Sequence, residues 1–482
     1  MRVRRSIRGS SKFAVLAAVG AVALPLASTA RADDGATAKE LKAQIDALKS
    51  KVDQLEAKEA QSKADTVKAV HDVLEDAERR SKMLSLGGVN GGYDNDRGFF
   101  LQSDNGDFSL HPGILFQFRG TGAYRFNATE ANSGPSTPVF GTDGETGFEV
   151  RRLKLAMDGN MFGHNLTYYF QVSSQPEGGG ITLEDAQVQY RLSDTSPFAI
   201  KAGQFRDPIY HEASMGDGRL LAADRTLVNS FIGGGQTQRI QGAGLVYDAG
   251  RFRGQGILHD GYASQNTNFQ DHPGGGPIGS VGSGAGVGPL NWGISVRAEY
   301  MVIGDRTVEF NPFSEYDDFT SHKNQQDILV VGGGVDYSEG GANHVIFHTV
   351  DVQWENTSGW GVYAAYLGAY RELPTEPGSF AGSYYDSGAL AQVSYRLSEH
   401  VEPFLRYDYT HLDGGALTGV NENNLHEITI GLNYYLYNNR MKFTLDGTYL
   451  PNGAPVDVPA LGILKNDGDA EFVVRAQLQL LI

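Results

Sequence analysis

The chain has 482 residues, of which 40% are hydrophobic, a formal net charge of −17, 23 Tyr, 24 Phe, 62 Gly and no Cys. The lack of cysteine excludes disulfides, thiolate catalysis and Cys-ligated metals, and the acidic charge disfavours nucleic acid as a partner. No run of eighteen apolar residues follows the N-terminal region, which excludes helical membrane spans. A membrane barrel stays possible because each of its strands needs only alternate apolar residues.

Residues 1–32 have the pattern of a secretory signal peptide. A basic start is followed by an apolar stretch from Phe13 to Leu26 and by Ala30-Arg31-Ala32, which places small residues at both recognition positions of a cut before Asp33. An uncleaved anchor helix is the alternative, which the short apolar stretch and Pro25 disfavour.

Residues 33–86 change to a helical pattern, with apolar residues spaced four, three, four and three apart at Leu41, Ile45, Leu48, Val52 and Leu55. This spacing predicts a short helical segment with a coiled-coil seam, although an amphipathic helix without a partner stays equally open because the clean heptads are few. Residues 87–108 are predicted to form a Gly-rich linker and a hairpin, since Asn105-Gly106 favours a tight turn.

From residue 109 to residue 482 the pattern predicts an all-β domain of about sixteen antiparallel strands. The period of two is clearest in Glu427 to Leu450, where two strands of about ten residues flank a tight turn at Tyr437 to Asn439. Long and short connections alternate, as in an outer-membrane barrel, but the long connection from Gly304 to Gln326 falls on the short-turn side. The last predicted strand reaches Ile482, so we expect it to close a barrel rather than leave a free edge.

Several segments of this domain, in this order, resemble the phosphate-selective porin family (porins O and P). They are FSLHPGILFQFRG at Phe108 to Gly120, GFEVRRLKLAMDG at Gly147 to Gly159, IKAGQFRDP at Ile200 to Pro208, DRTL after it, and Glu402 to Tyr409 followed by the meander from Ile428 to Tyr449. The resemblance implies a sixteen-stranded outer-membrane channel, usually a trimer, in which one loop folds into the lumen and basic residues guide anions. The final Ile482, where such barrels usually end in Phe, and the acidic barrel depart from the family pattern.

Basic residues on the predicted inward faces are the candidates for the channel wall. Arginine suits such a wall because its planar, permanently charged fork binds oxyanions. The segment from Arg206 to Arg239 is the candidate constriction loop, because it is long and carries apolar anchors. Acids interleave with these residues, so pairing across the wall is an equally open interpretation. The candidates are Arg206, Arg219, Arg225, Arg239, Arg119, Arg152, Lys154, Lys201, Arg297 and Arg406.

The sequence therefore predicts a passive outer-membrane channel for small hydrophilic solutes, with anions such as phosphate as one candidate class. It would lie in the outer membrane of a Gram-negative-type bacterium as a homotrimer in contact with lipid, with its N-terminal helix in the periplasm. No cofactor, metal or enzyme activity is expected, since no G-x-S-x-G, P-loop or H-E-x-x-H motif occurs. A barrel-borne ligand binder or hydrolase and an envelope-tethering protein are the alternatives.

Charge placement gives a further expectation, because the acidic net charge and the family resemblance point in opposite directions. If the constriction is locally positive, Arg225→Ala or Arg206→Ala shifts permeability toward cations. Neutralising Asp143 or Glu145 in the first long loop changes conductance mainly at low salt.

Overall fold

The computed structural model describes residues 88–482 apart from 95–97, 129–142, 177, 270–289, 308–309, 322–325, 342, 374–381 and 414–422. It also describes positions 42–43, 45–58, 61, 68 and 71–72. The chain divides into two units, residues 1–84 and 85–482.

In the first unit every described position is helical, and the apolar side chains of Ile45, Leu48, Val52 and Leu55 are exposed. The predicted signal peptide lies outside the described residues. No helix in the described part of the chain is long and apolar enough to cross a membrane.

The second unit consists mainly of strands, which the alternating apolar pattern predicts closely. The strands are β1 (Val89–Asp94), β2 (Gly98–Ser103), β3 (Ser109–Arg125), β4 (Gly144–Met161), β5 (Leu166–Ser174), β6 (Ile181–Arg191), β7 (Phe198–Arg206), β8 (Arg239–Ala249), β9 (Phe252–His259), β10 (Trp292–Ile303), β11 (Ile328–Gly340), β12 (Asn343–Glu355), β13 (Trp360–Leu373), β14 (Gly382–Tyr395), β15 (Val401–His411), β16 (Asn424–Tyr437), β17 (Met441–Leu450) and β18 (Glu471–Leu481).

Short helices occur only within connections among the described residues of this unit. They are α1 (His211–Ser214), α2 (Leu227–Phe231), α3 (Gly234–Thr237) and α4 (Pro312–Tyr316), with single 3₁₀ turns at Asp217–Arg219 and Pro459–Leu461.

Strands β3 to β18 form a closed barrel. Each pairs antiparallel with the next, and β18 returns to pair with β3 from Leu481↔Leu115 to Glu471↔Arg125. The predicted all-β fold with a sixteen-stranded antiparallel barrel is therefore confirmed. Because the barrel is closed, it has no free strand edge whose backbone groups would be left unpaired in an apolar solvent.

The two faces of each strand differ as the period of two requires. On β16, Ile428, Ile430 and Leu432 point outward and are 40–66% exposed, whereas Glu427 and Thr429 point inward and are buried. An apolar exterior and a polar interior follow directly from this alternation.

The connection between β10 and β11 explains the irregularity in the loop pattern. It lies at the short-turn end, yet residues 311–321 fold into the barrel, where Phe313, Tyr316 and Phe319 are buried. The barrel is therefore filled from both ends.

Strands β1 and β2 form a hairpin outside the sixteen-stranded ring. The predicted Asn-Gly turn is present between β2 and β3, where the Gly106 amide donates to the Ser103 oxygen at 2.9 Å. Beyond the turn, β2 pairs with the start of β3 through Leu101↔Leu110 and Gln102↔Ser109.

Candidate pore constriction

Residues 207–238, which join β7 to β8, fold across the lumen and are called the inner loop here. Its apolar residues Leu227, Val228, Phe231 and Ile232 are completely buried. They belong to one cluster with Leu367, Leu390 and Phe404, which face inward from β13, β14 and β15. Burial of these side chains attaches the loop to the wall opposite its own strands.

The backbone of the inner loop is satisfied by polar side chains of that opposite wall. Lys442 Nζ donates to the Leu220 oxygen at 2.5 Å, and Asn433 Nδ2 donates to the Leu221 oxygen at 2.9 Å. The Leu227 amide donates to Glu427 Oε2 at 2.7 Å. Buried backbone groups need such partners, so many inward-facing polar and charged residues hold the loop rather than line a pore.

Asp224 is the strongest anchor of the inner loop. Its carboxylate contacts Arg119 at 2.5 Å and Arg151 at 2.9 Å, and it also pairs with Arg152. Burial alone would raise the pKa of Asp224, but the three guanidinium groups hold it well below its usual range. The carboxylate therefore stays ionised, and all three arginines are committed to it.

Asp217 is a second anchor, near the middle of the loop. It pairs with Lys154 at 2.6 Å, with Arg225 at 2.5 Å and more loosely with Arg152 and Arg206 at 3.5 and 3.4 Å. Burial opposes ionisation here too, yet Lys154 and the neighbouring arginines keep the pKa of Asp217 well below its usual range.

Most of the basic residues predicted for the channel wall are buried and paired. Arg225 is 8% exposed and binds Asp217 and the backbone oxygens of Glu212 and Met215, so it lies inside the inner loop. Ion pairs with carboxylates likewise occupy Arg119, Arg152, Arg297, Arg406 and Arg239. The interpretation that charges pair across the wall fits these positions.

The segment 311–321 meets the inner loop from the short-turn end. The Phe319 amide donates to the Arg219 oxygen at 3.1 Å, while Asn439 Nδ2 and the Ser321 amide bind Asp318 and Glu402 at 2.6 and 3.0 Å. Sequence reasoning did not assign this segment to the constriction, although the misplaced long connection was a signal for it.

Two adjoining cavities lie between the inner loop and the barrel wall, and together they are called the passage here. Their volumes are about 550 and 510 Å³, and they share Lys201, Pro208, Ser214, Gly216, Arg219 and Gln255. Lys154 and Arg206 line the first cavity, and Arg253 and Arg297 line the second. Gln171, Gln187 and Gln189 border the passage as well, and apolar residues such as Leu115 and Val246 complete its wall.

Two cations in this passage have no carboxylate at ion-pair distance among the described residues, although Asp185 acts on Lys201 over a longer distance. Lys201 Nζ lies 3.8 Å from the centre of the Phe205 ring, and Arg219 is exposed and donates to the backbone oxygen of Asp317 at 3.2 Å. Arg206 is half-buried, donates to the backbone oxygen of Ala213 at 2.7 Å and lies 3.4 Å from the Asp217 carboxylate.

Most carboxylates of the passage form ion pairs with basic residues. Glu299 and Asp317 pair with Arg253, and Asp185 pairs with Arg239 at 3.2 Å. Asp158 is the exception, because its neighbour at 3.4 Å is His111 and its side chain is 59% exposed. The cations Lys201 and Arg219 and the acid Asp158 are therefore the charges of the passage without an ion pair to Lys, Arg or a carboxylate among the described residues.

A Ser–His–Asp cluster lies at the root of the inner loop. Ser295 Oγ and Asp336 Oδ2 lie 3.1 and 2.9 Å from the same atom, His259 Nε2, and all three side chains are buried. A hydrolytic triad needs the acid and the nucleophile on different ring nitrogens, so this geometry supports a packing role. In the described part of the chain, no group of three His, Cys, Asp or Glu side chains is arranged to hold a metal.

A closed sixteen-stranded barrel with an apolar exterior, a polar interior and a loop folded into the lumen defines the class of outer-membrane porins, which form diffusion channels. The model of the family described as phosphate-selective porin O and P matches residues 134–279. This match confirms the family resemblance that the sequence segments predict.

Solved porin structures are similar to this chain. The anion-selective porin from Comamonas acidovorans is 12% identical with a TM-score of 0.49, and the match covers 78% of this chain and 100% of that one. Salmonella typhi OmpF, in complex with daunomycin, is 12% identical with a TM-score of 0.47 over 78% and 99% of the two chains. A trimer form of OmpT from Vibrio cholerae is 10% identical with a TM-score of 0.43 over 77% and 99%. No curated protein matches the sequence.

Proposed function

We propose that this porin is an anion-preferring diffusion channel whose selectivity is set by Lys201 and Arg219. The observation that carries the proposal is that both cations border the passage without a carboxylate at ion-pair distance in the described part of the chain. The acids Asp185, Glu299 and Asp317 of the same passage have basic partners, and Asp158, which has only His111, lines only the first cavity.

The acidic net charge of −17 does not oppose this proposal. Charges farther away than a Debye length of about 8 Å at physiological salt are largely screened, whereas a narrow passage with low-dielectric walls concentrates the field of nearby charges. Lys201 and Arg219 border both cavities, so a permeating ion passes close to each of them. Small oxyanions such as phosphate or carboxylates are the solute class that this arrangement favours.

Replacement of the two cations tests the assignment. The double variant Lys201→Gln/Arg219→Gln is expected to lower the Cl⁻/K⁺ permeability ratio about five-fold or more, because one unit charge at 4 Å contributes about 1 kcal/mol even in water. Reversal potentials in a KCl gradient across a planar bilayer measure this ratio.

Arg251→Gln provides the control for the single variants Lys201→Gln and Arg219→Gln. Arg251 is half exposed at the β8–β9 turn and pairs with Asp305, so its replacement removes one positive charge, as each single variant does, but leaves the passage unchanged. An unchanged permeability ratio in the double variant, or an equal change in the control, would refute the role of Lys201 and Arg219.

On the basis of the family resemblance, the proposal includes a homotrimer in the outer membrane, with the N-terminal helical segment in the periplasm. Light scattering of the detergent-solubilised protein measures the number of subunits.

Deletion of residues 39–86 tests the tethering alternative, which predicts weaker envelope attachment at unchanged conductance. The hydrolase alternative has less support, because the Ser295–His259–Asp336 cluster is buried and lacks the geometry of a triad.

A further inference from the structure

Strand β2 continues the barrel wall beyond the end of β18. Both strands pair with β3, since Ile482 exchanges hydrogen bonds of 2.9 Å with Ile114 while Leu101 and Gln102 pair with Leu110 and Ser109. A side-chain carbon added at Gly98 would lie 3.7 Å from Ile482. The first residue of β2 therefore lies next to the last residue of the chain, and β2 takes the place of β18 along β3.

Strand β1 lies correspondingly near the end of β17. It pairs with β2 from Val89↔Ser103 to Asp94↔Gly98. Near its end, the Tyr93 hydroxyl accepts a hydrogen bond of 2.7 Å from Arg440 Nη1, just before the start of β17. The hairpin is thus a two-stranded extension of the barrel wall at its short-turn end.

The hairpin has two distinct faces. Phe100 lies on the inner face, where its ring is 6.4 Å from the ring of His111, a residue that faces into the barrel. The opposite face carries Val89, Tyr93, Phe99 and Leu101, whose side chains are 43–55% exposed. Because directly paired residues share a face, Leu101 and Leu110 lie on the same side as the outward-facing Ile114.

We propose that this outer face of the hairpin lies in the headgroup and upper acyl region of the membrane, in contact with phospholipid. The inference rests on the proposed placement of the barrel in the outer membrane. Its basis is continuity, because the exposed apolar row of the hairpin runs on from the outer face of β3 and β18.

The composition of the surroundings supports phospholipid as the partner. Tyr93 packs on Phe99 with ring centres 5.1 Å apart, and Phe108 packs on Phe162, which is 79% exposed, at 5.3 Å. Aromatic rings and an arginine with an aliphatic stem, here Arg440, are the side chains that occupy membrane interfaces. In water, the same exposed apolar strand pair would favour aggregation.

Fluorescence quenching by brominated lipid tests the proposal in the full chain. In a background with Trp292, Trp354 and Trp360 changed to Phe, Leu101→Trp and Phe99→Trp are reconstituted into phosphatidylcholine vesicles brominated near the headgroup. Both are expected to be quenched about two-fold more than Phe100→Trp, which faces the barrel. Two outward positions are used so that one misfolded variant leaves the test intact, and heat-modifiable mobility on gels verifies folding.

A single-Trp protein that retains Trp360 is the reference. Trp360 is 44% exposed next to the short turn between β12 and β13. Quenching of Trp360 without quenching at positions 99 and 101 would overturn the hairpin proposal alone, whereas no quenching of Trp360 would overturn the membrane placement.

A second copy of the chain is the competing occupant of the hairpin face. The chain contains no cysteine, so Leu101→Cys introduces a single thiol. Rapid oxidative cross-linking of Leu101→Cys between copies in the same vesicles would show that another subunit covers the face, and would overturn the lipid assignment. The proposal expects no such cross-linking.

Discussion

Arg219 of the inner loop donates a hydrogen bond of 3.2 Å to the backbone oxygen of Asp317, and this contact joins the two segments that enter the barrel from opposite ends. It also leaves most of the guanidinium free of anionic partners within the described residues. Arg219 therefore combines a fixed position with an uncompensated charge, which is the combination that a selective constriction requires.

Removal of residues 311–321, which enter the barrel from its short-turn end, is expected to widen the passage. Replacement of residues 311–321 by a short Gly-Ser linker removes Phe313, Tyr316 and Phe319 from the lumen. We expect the single-channel conductance to rise up to about two-fold, because the wall of a sixteen-stranded barrel is wide enough for an aqueous channel. Unchanged conductance of the folded variant would show that this segment does not restrict the passage.

Asp224→Asn is expected to loosen the inner loop. The change leaves Arg119, Arg151 and Arg152 without their shared carboxylate, and loss of one partner of a buried ion pair costs about 3–5 kcal/mol. Proteolysis within residues 207–238 and larger current fluctuations measure the effect. The exposed Glu145→Gln serves as the control, and equal behaviour of both variants would contradict the anchoring role.

Arg225→Ala is expected to change the stability of the inner loop, whereas Arg219→Ala is expected to change the ion selectivity. Arg225 is buried within the inner loop, so its loss should destabilise the loop and increase protease sensitivity. Arg219 is exposed in the passage, so its loss should lower the Cl⁻/K⁺ permeability ratio while protease sensitivity stays as in the wild type. The prediction is wrong if Arg225→Ala changes selectivity in an intact loop as much as Arg219→Ala does.

The inner loop is expected to stay packed against the barrel wall as the pH is lowered to about 4, which is near the usual pKa of aspartate. The pKa values of Asp217 and Asp224 are depressed, so their contribution is fully present above that usual value and is lost as the pH falls through the depressed values. Burial raises the pKa of Glu212, so its protonation during acidification does not weaken docking. Protease sensitivity that rises already between pH 7 and pH 5 would contradict these assignments.

The strands could be predicted closely because alternation of apolar and polar residues is a local property of the chain. The stretch from Glu427 to Leu450 shows this, since its outward and inward sets are already separated in the sequence. Closure of the barrel also follows, because the last strand has the same pattern as the others and needs a partner.

The constriction could be predicted only in part. The length and apolar residues of the inner loop point to inward folding, but the pairing of Asp224 with Arg119 joins residues 105 positions apart. No local pattern distinguishes such a buried arginine from Lys201, which has the same inward register and no carboxylate at ion-pair distance in the described part of the chain. Which charges stay open to solutes therefore depends on long-range packing.

The reversal potential of the wild-type channel decides whether anions are preferred. With a tenfold KCl gradient across a planar bilayer, at 1 M on the concentrated side, we expect a potential of the sign given by Cl⁻ permeating faster than K⁺. Added phosphate is expected to reduce the Cl⁻ current by competing for Lys201 and Arg219. A potential of the opposite sign, which indicates preference for K⁺, would refute the selectivity proposed for Lys201 and Arg219.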